Sequence, residues 1–191
     1  MRGFLQGTVG ALWWGLRRRR DVPPGAAAFS YSSRMGVMLW VTIALTPVEV
    51  GAVHLLLPWP AVRWALVGLS VVALLATVGF ALSLGQRPHT LDRDELRLRF
   101  SFLREVVVPV ADVVAVRPRT TLDQQRVLAV GDGEVSLSVL GETSVRLELR
   151  PGATVRVAGE DVPAEEVALF ADDPRGLTGA LRALIADRAP D

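Results

Sequence analysis

Two long apolar runs, separated only by residues 58–63, constrain this chain more than any other feature of its sequence. Residues 36–57 contain one acid, Glu49, and neither Lys nor Arg, and residues 64–84 contain no charged residue. A helix rises about 1.5 Å per residue, so each run spans about 30 Å, the thickness of the hydrocarbon core of a bilayer. The pattern predicts two transmembrane helices with these bounds.

The connection between the two runs is short and contains two prolines. Pro58 and Pro60 end one helix and start the next, so the helices must return antiparallel to each other. The sequence therefore predicts a two-helix transmembrane hairpin within residues 35–88. The alternative is a pair of buried helices in a soluble protein, but soluble cores rarely need two uninterrupted runs of this length.

Arginines flank the predicted hairpin, whereas its connection holds only Arg63. The positive-inside rule therefore predicts a multi-pass membrane protein with both termini in the cytoplasm. Trp59 and Trp64 suit the outer interface of the bilayer, and Trp40 suits the inner one. The flanking basic residues are Arg17, Arg18, Arg19, Arg20 and Arg34 before the first span, and Arg87, Arg93, Arg97, Arg99 and Arg104 after the second.

Residues 1–34 form a basic N-terminal segment, in which apolar residues recur at helical spacing before the run Arg17–Arg20. We predict an interfacial amphipathic helix whose arginines contact anionic lipid headgroups, followed by a linker at 21–33. A signal peptide is disfavoured because only Arg2 precedes the apolar residues. A disordered basic tail that only sets topology is the alternative. So close to a membrane span, the expected partner of these arginines is lipid and not nucleic acid.

The composition excludes several classes of site. The chain has no Cys, which rules out disulfides, thiolate metal sites and thiol nucleophiles. Its histidines are His54 and His89, and it lacks G-x-S-x-G, H-E-x-x-H and phosphate-loop motifs. We therefore predict no enzymatic activity, cofactor, metal or small-molecule substrate. Lys and Asn are absent and Ile is scarce, a bias against AT-rich codons that indicates a GC-rich bacterial genome and hence a bacterial plasma membrane.

Beyond the hairpin the period of apolar residues changes to two, which predicts short strands. Residues 89–191 are expected to form a mostly β cytoplasmic domain of about six to eight strands, with a hairpin turn at 131–133. A C-terminal helix at 174–187 completes the domain, and Asp172 or Asp173 can cap it. The predicted strands are 95–100, 105–110, 113–118, 126–130, 135–140, 144–150, 154–159 and 167–171.

The segment HTLDRDELRLRFSFLREVVVPVADVVAV resembles the opening of bacterial pleckstrin-homology-like domains that follow two-helix membrane hairpins. The resemblance is carried by the alternating strand Leu96–Arg99, by Val108-Pro109 and by the strand 113–116. It implies a pleckstrin-like barrel capped by a C-terminal helix, and little chemistry. The loop 91–95, which would correspond to the phosphoinositide-binding loop, holds three acids and one base, so phosphoinositide binding there is disfavoured.

Glu49 is the most informative single residue, since a carboxylate near the bilayer centre costs roughly 2.5–3.5 kcal/mol. One interpretation is structural: a protonated Glu49 bonds to Ser70, which the hairpin places at the same depth, or to a backbone carbonyl. The other is functional: Glu49 contacts a partner helix or relays protons. Thr42 and Thr46 are expected on the face of Glu49, and Thr77 on the face of Ser70.

His54 lies about 140° around the helix from Glu49 and is expected near the outer interface, so a joint metal or proton site is not predicted. The leading functional prediction is a membrane-anchored, non-enzymatic interaction or accessory protein that contacts other membrane proteins or associates with itself. The alternatives are a sensor of anionic lipids that uses the basic N-terminal helix, and a proton- or ion-translocating subunit that uses Glu49. The last alternative needs oligomers, because two helices cannot enclose a path.

Overall fold

The computed structural model describes residues 21–122 and 126–188. The predicted interfacial helix and the predicted headgroup contacts Arg17, Arg18, Arg19 and Arg20 lie outside these residues. The chain forms two compact units, a helical one that contains Arg34–Gln86 and a β-rich one made of Arg20–Ser33 and Arg87–Asp191.

The helical unit contains two long helices, α1 (Ser33–Leu56) and α2 (Pro60–Gln86). Each contains one of the two predicted spans almost completely, and both are long and apolar enough to cross a membrane. Pro60 occupies the first position of α2, where its missing N–H costs nothing. Most of the extra residues at the helix ends are polar or small, and Arg34 and Arg63 interrupt the apolar runs, which is why the hydropathy of the sequence did not include these ends.

Half-buried residues recur along α1 and α2 at alternating spacings of three and four. This spacing is the mark of a helix with one face packed against a neighbour. Near the connection, the rings of His54 and Trp64 meet edge to face with their centroids 6.0 Å apart. The half-buried positions that follow this spacing are Leu39, Ile43, Thr46, Val50 and Val53 on α1, and Arg63, Val67, Ser70, Leu74 and Thr77 on α2.

The described part of the β-rich unit contains two sheets and a C-terminal helix. The six-stranded sheet has the order β1-β2-β3-β4-β9-β10, and the five-stranded sheet has the order β5-β8-β11-β7-β6. In chain order the strands are β1 (Ala27–Phe29), β2 (His89–Leu91), β3 (Glu95–Phe100), β4 (Arg104–Pro109), β5 (Val113–Thr121), β6 (Leu128–Gly131), β7 (Glu134–Leu137), β8 (Thr143–Leu149), β9 (Thr154–Val157), β10 (Glu160–Pro163) and β11 (Glu166–Leu169).

Neither sheet closes into a barrel within the described residues, because the first and the last strand of each sheet pair with a neighbour on one side only. Two of these edge strands contain proline, Pro118 in β5 and Pro163 in β10, which lacks the N–H needed for a second partner. The pleckstrin-like barrel implied by the resemblance is therefore not confirmed. The coarser prediction of a β-rich domain with a terminal helix agrees with the structure.

Alternating burial builds the core of the β-rich unit. On β3, Leu96, Leu98 and Phe100 are buried and the intervening residues are half-buried. The C-terminal helix α3 (Pro174–Arg188) contributes Leu177 and Leu181, both fully buried. These patterns are the ones that the period of two and the helical stripe in the sequence predict.

Local signals in the sequence also formed as predicted. Asp173 caps α3 by accepting a hydrogen bond of 2.9 Å from the N–H of Gly176. Asp172 instead accepts hydrogen bonds from the N–H (3.1 Å) and the hydroxyl (2.6 Å) of Ser33. In the turn between β6 and β7, Asp132 and Gly133 both have positive φ, 49° and 77°, as the favoured two-residue hairpin turn requires.

The segment predicted as a linker at 21–33 differs from expectation. Its residues Ala27–Phe29 form β1, which pairs antiparallel with His89–Leu91 of β2. A strand of three residues shows no alternation that a sequence pattern can reveal, and its partner lies about sixty residues away along the chain.

Candidate functional site

Glu49 lies on an exposed stripe of α1. The residues of this stripe, which we call the Glu49 stripe, follow one another at alternating spacings of four and three residues. They extend over most of the helix. Among residues 21–122 and 126–188, none forms a hydrogen bond or an ion pair with Glu49. The carboxyl group is therefore not satisfied by the described part of its own chain. The stripe consists of Met38, Thr42, Leu45, Glu49, Ala52 and Leu56, all exposed.

The other polar residues predicted for the membrane site are placed differently. Thr46, Ser70 and Thr77 are half-buried, and His54 is exposed beside Trp64. No hydrogen bond joins Glu49 to Ser70 within the described residues, so their predicted pairing stays a prediction.

The three threonines of the hairpin satisfy their hydroxyls locally. Each donates to the backbone carbonyl four residues earlier, at 3.1 Å for Thr42, 3.0 Å for Thr46 and 2.8 Å for Thr77. Such bonds let a hydroxyl sit inside an apolar helix without an external partner. Glu49 forms no equivalent bond within the described part of the chain.

A second candidate site is a cavity of about 330 Å³ in the β-rich unit, which we call the arginine cavity. It lies at the connection between β3 and β4 and does not include the acidic loop 91–95. Its wall contains three arginines, two acids and a short apolar stretch. The lining residues are Asp21, Arg87, Arg99, Ser101, Phe102, Leu103, Arg104, Glu105 and Ala158.

The charges of the arginine cavity are partly compensated. Arg99, whose side chain is only 11% exposed, lies 3.3 Å from a carboxylate oxygen of Asp21 and 3.4 Å from one of Glu105. Glu105 is also 3.8 Å from Arg97, so two guanidinium groups share this acid. Arg104 is exposed, donates only to the carbonyl of Leu103, at 3.3 Å, and has no carboxylate within ion-pair distance in the described part of the chain.

A buried aromatic cluster supports the cavity wall from behind. The rings of Tyr31 and His89 stack with their centroids 4.6 Å apart, and the centroid of the Phe100 ring lies 6.1 Å from that of Tyr31. The Arg99 N–H donates to Nδ1 of His89 at 3.0 Å, and the Ser101 N–H donates to the Tyr31 hydroxyl at 2.7 Å. Two positions of the cavity wall, Arg99 and Ser101, are thus held by side chains from outside strands β3 and β4.

The protonation states of this cluster follow from its burial. Because Nδ1 of His89 accepts a hydrogen bond, Nε2 carries the proton and donates to the Phe170 carbonyl at 2.9 Å. Burial lowers the pKa of His89 from 6.5 to about 4, so the ring is neutral at physiological pH. Burial also raises the pKa of Tyr31 to about 12. Both groups act as neutral hydrogen-bonding partners for the backbone.

Sequence reasoning did not find the arginine cavity or the aromatic cluster. The signal that was present is Phe102-Leu103 between two arginines, an apolar pair at a strand connection where polar residues are usual. The part of the structure that is described contains no group of three or more His, Cys, Asp or Glu side chains placed to hold a metal ion.

Comparisons with protein-family models, with curated proteins and with solved structures found no match for this chain.

Proposed function

We propose that this chain is a membrane-anchored, non-enzymatic interaction protein whose Glu49 stripe packs against a helix of a partner membrane protein. The hairpin of α1 and α2 crosses a bacterial plasma membrane twice, with both termini on the cytoplasmic side. The observation that carries the proposal is Glu49, which is exposed on an apolar helix and has no partner among the described residues.

The free energy of burying a carboxyl group in lipid supports a partner. A carboxylate at the centre of a membrane helix costs roughly 2.5–3.5 kcal/mol, and this cost falls when the group is protonated and hydrogen-bonded. Lipid tails offer no hydrogen bond. A neighbouring helix with a polar side chain at the same depth supplies one, and such interhelical bonds contribute about 1–2 kcal/mol in model peptides.

The shape of the Glu49 stripe suits close helix packing. Ala52, one turn from Glu49, is small, and Thr42, two turns away on the other side, has its hydroxyl folded back onto the helix. Small residues of this kind let two membrane helices approach each other. The contact is extended by large apolar side chains, Met38 and Leu56 at the two ends of the stripe and Leu45 one turn from Glu49.

The proposed orientation is supported by charge. The connection between the helices carries Arg63 alone, whereas both flanks of the hairpin are rich in arginine. The acidic excess of residues 89–191 keeps the β-rich unit soluble in water on the same side as the termini.

Site-specific photo-crosslinking in native membranes tests the proposal. A photo-reactive amino acid is placed on the Glu49 stripe at Met38, Leu45 or Leu56, and for each position a control carries it one residue earlier, at Val37, Ala44 or Leu55. Adjacent residues lie at nearly the same depth but about 100° apart around the helix. All six positions are exposed in the structure.

We expect protein adducts at the three stripe positions and mainly lipid adducts at their neighbours. The adduct mass distinguishes a second copy of this chain from another membrane protein. Equal yields of protein adduct at all six positions, or lipid adducts alone at the stripe, would contradict the proposal.

A further inference from the structure

We propose that the arginine cavity binds a phosphate group, and that the phosphate belongs to the headgroup of an anionic membrane lipid. The proposal rests on the membrane anchoring argued above, but not on the partner of Glu49. It adds a binding site on the β-rich unit that is built from residues other than the basic run Arg17–Arg20.

The charge of the arginine cavity favours an anion. Three arginines line it, against the two acids Asp21 and Glu105. Both acids lie within ion-pair distance of Arg99, and Glu105 is also 3.8 Å from Arg97, whose nearer acid is Glu95 at 2.9 Å. Arg104 is left without a carboxylate partner in the described part of the chain, and guanidinium groups bind phosphate oxygens in bidentate geometry.

The cavity wall is preorganised. The N–H groups of Arg99 and Ser101 are fixed by His89 and Tyr31, so the end of β3 keeps its shape whether or not a ligand is bound. The volume of about 330 Å³ falls within the usual range for small-molecule sites, roughly 300–1,000 Å³. Because buried neighbours already hold the site in place, binding a ligand costs little conformational entropy.

The apolar tip of the cavity favours a lipid as the source of the phosphate. Phe102 and Leu103 form the connection between β3 and β4, and Leu103 is 40% exposed. An exposed Leu next to the exposed Arg104 suits the boundary between headgroups and acyl chains, where the apolar side chain meets lipid tails and the guanidinium group meets phosphate. A site for phosphate taken from solution would not need such a tip.

The position of Arg87 in the chain supports the same source. Arg87 directly follows Gln86, the last residue of α2, so in a membrane-spanning hairpin it lies at the level of the headgroups. Arginines at this level are attracted to anionic lipids by about 1 kcal/mol each.

Native mass spectrometry of the full chain in detergent micelles provides the test. The micelles are doped either with phosphatidylglycerol or with zwitterionic phosphatidylcholine, and the lipid bound per chain is titrated. We expect preferential retention of phosphatidylglycerol. Arg104→Gln should weaken that binding about fivefold, and the double variant Arg87→Gln/Arg104→Gln about twenty-five-fold.

The matched control is Arg119→Gln, which removes the same charge from an exposed position on β5 in the other sheet. It should change phosphatidylglycerol binding less than twofold. If Arg104→Gln and Arg119→Gln weakened phosphatidylglycerol binding equally, the binding would depend on net charge alone and the proposed site would be wrong. Circular dichroism of each variant verifies that the β-rich unit remains folded.

Two further arms identify the source of the phosphate. Leu103→Ser should weaken phosphatidylglycerol binding, and an excess of inorganic phosphate should leave it unchanged. If inorganic phosphate displaces the lipid and Leu103→Ser has no effect, the lipid proposal is overturned in favour of a soluble phosphate. Glu49→Leu should bind lipid like the wild type, so a failure of the partner-helix proposal leaves this result intact.

Discussion

The helical unit and the β-rich unit differ in how their polar side chains are hydrogen-bonded. In the β-rich unit, buried His89, Tyr31 and Ser144 each form hydrogen bonds with backbone groups of that unit. In the helical unit, the threonines satisfy themselves within their own helices, but Glu49 is exposed and has no partner in the described part of the chain.

This difference shows what each unit needs from its surroundings. A domain in water gains nothing from an unsatisfied buried polar group, so its polar residues are paired internally. A helix in lipid cannot leave a carboxyl group unpaired without a cost, so if α1 crosses a membrane as proposed, the exposed Glu49 is expected to bind a partner outside the chain. The comparison predicts two different results when a polar residue is replaced by an apolar one. In the β-rich unit the replacement should lower the folding stability, and in the helical unit it should weaken association with a partner helix.

The largest effect is expected at His89. His89→Leu leaves the Arg99 N–H and the Phe170 carbonyl without partners in a buried site, and each such loss costs about 1–3 kcal/mol. We expect the free energy of unfolding of the β-rich unit to fall by about 4 kcal/mol. Urea titration of the full chain in detergent, followed by the circular dichroism of the strands, measures it.

The chain provides its own control in His54, the other histidine, which lies on α1. His54→Leu should leave the unfolding of the β-rich unit within about 0.5 kcal/mol of the wild type. If His54→Leu lowered the free energy of unfolding of the β-rich unit as much as His89→Leu, the proposed difference between the two units would be wrong.

The next effect is a dependence on pH. Because the pKa of His89 is lowered from 6.5 to about 4 in the folded state, its contribution is complete above pH 6.5. Between pH 6.5 and pH 4 the unfolded chain takes up a proton that the folded chain does not. The contribution of His89 to the free energy of unfolding should therefore fall by about 3 kcal/mol across this window, and not further below it.

Urea titrations at a series of pH values measure this decline, and the variant His89→Gln isolates its cause. Gln does not titrate, so the part of the decline between pH 6.5 and pH 4 that is due to His89 should disappear. A decline of the same size in His89→Gln would show that other groups control the pH dependence.

Much of the fold was predictable because its signals are local. The apolar runs predicted α1 and α2, the period of two predicted most strands from β3 to β11, and Asp173-Pro174 marked the start of α3. Each of these signals depends on residues within about ten positions of one another. The predicted turn at Asp132-Gly133 formed for the same reason.

The parts that were not predicted depend on residues far apart in the chain. The short strand β1 exists only because β2 pairs with it, and the burial of His89 depends on Tyr31, Arg99 and Phe170 meeting around it. The arginine cavity likewise combines Asp21, the β3–β4 connection and Ala158. No spacing rule links such positions, whereas Glu49 stood out because a single charge in an apolar run is itself a local signal.

The measurement closest to the central claim compares three variants at and beside Glu49 by the photo-crosslinking yield from position 45 in native membranes. Glu49→Leu removes the polar group, Glu49→Gln keeps a hydrogen-bonding group, and Val48→Leu changes an exposed neighbour about 100° away. We predict that Glu49→Leu lowers the yield of the protein adduct about tenfold. Glu49→Gln should retain most of it, and Val48→Leu all of it. An undiminished adduct in Glu49→Leu would contradict the claim that Glu49 binds a partner helix.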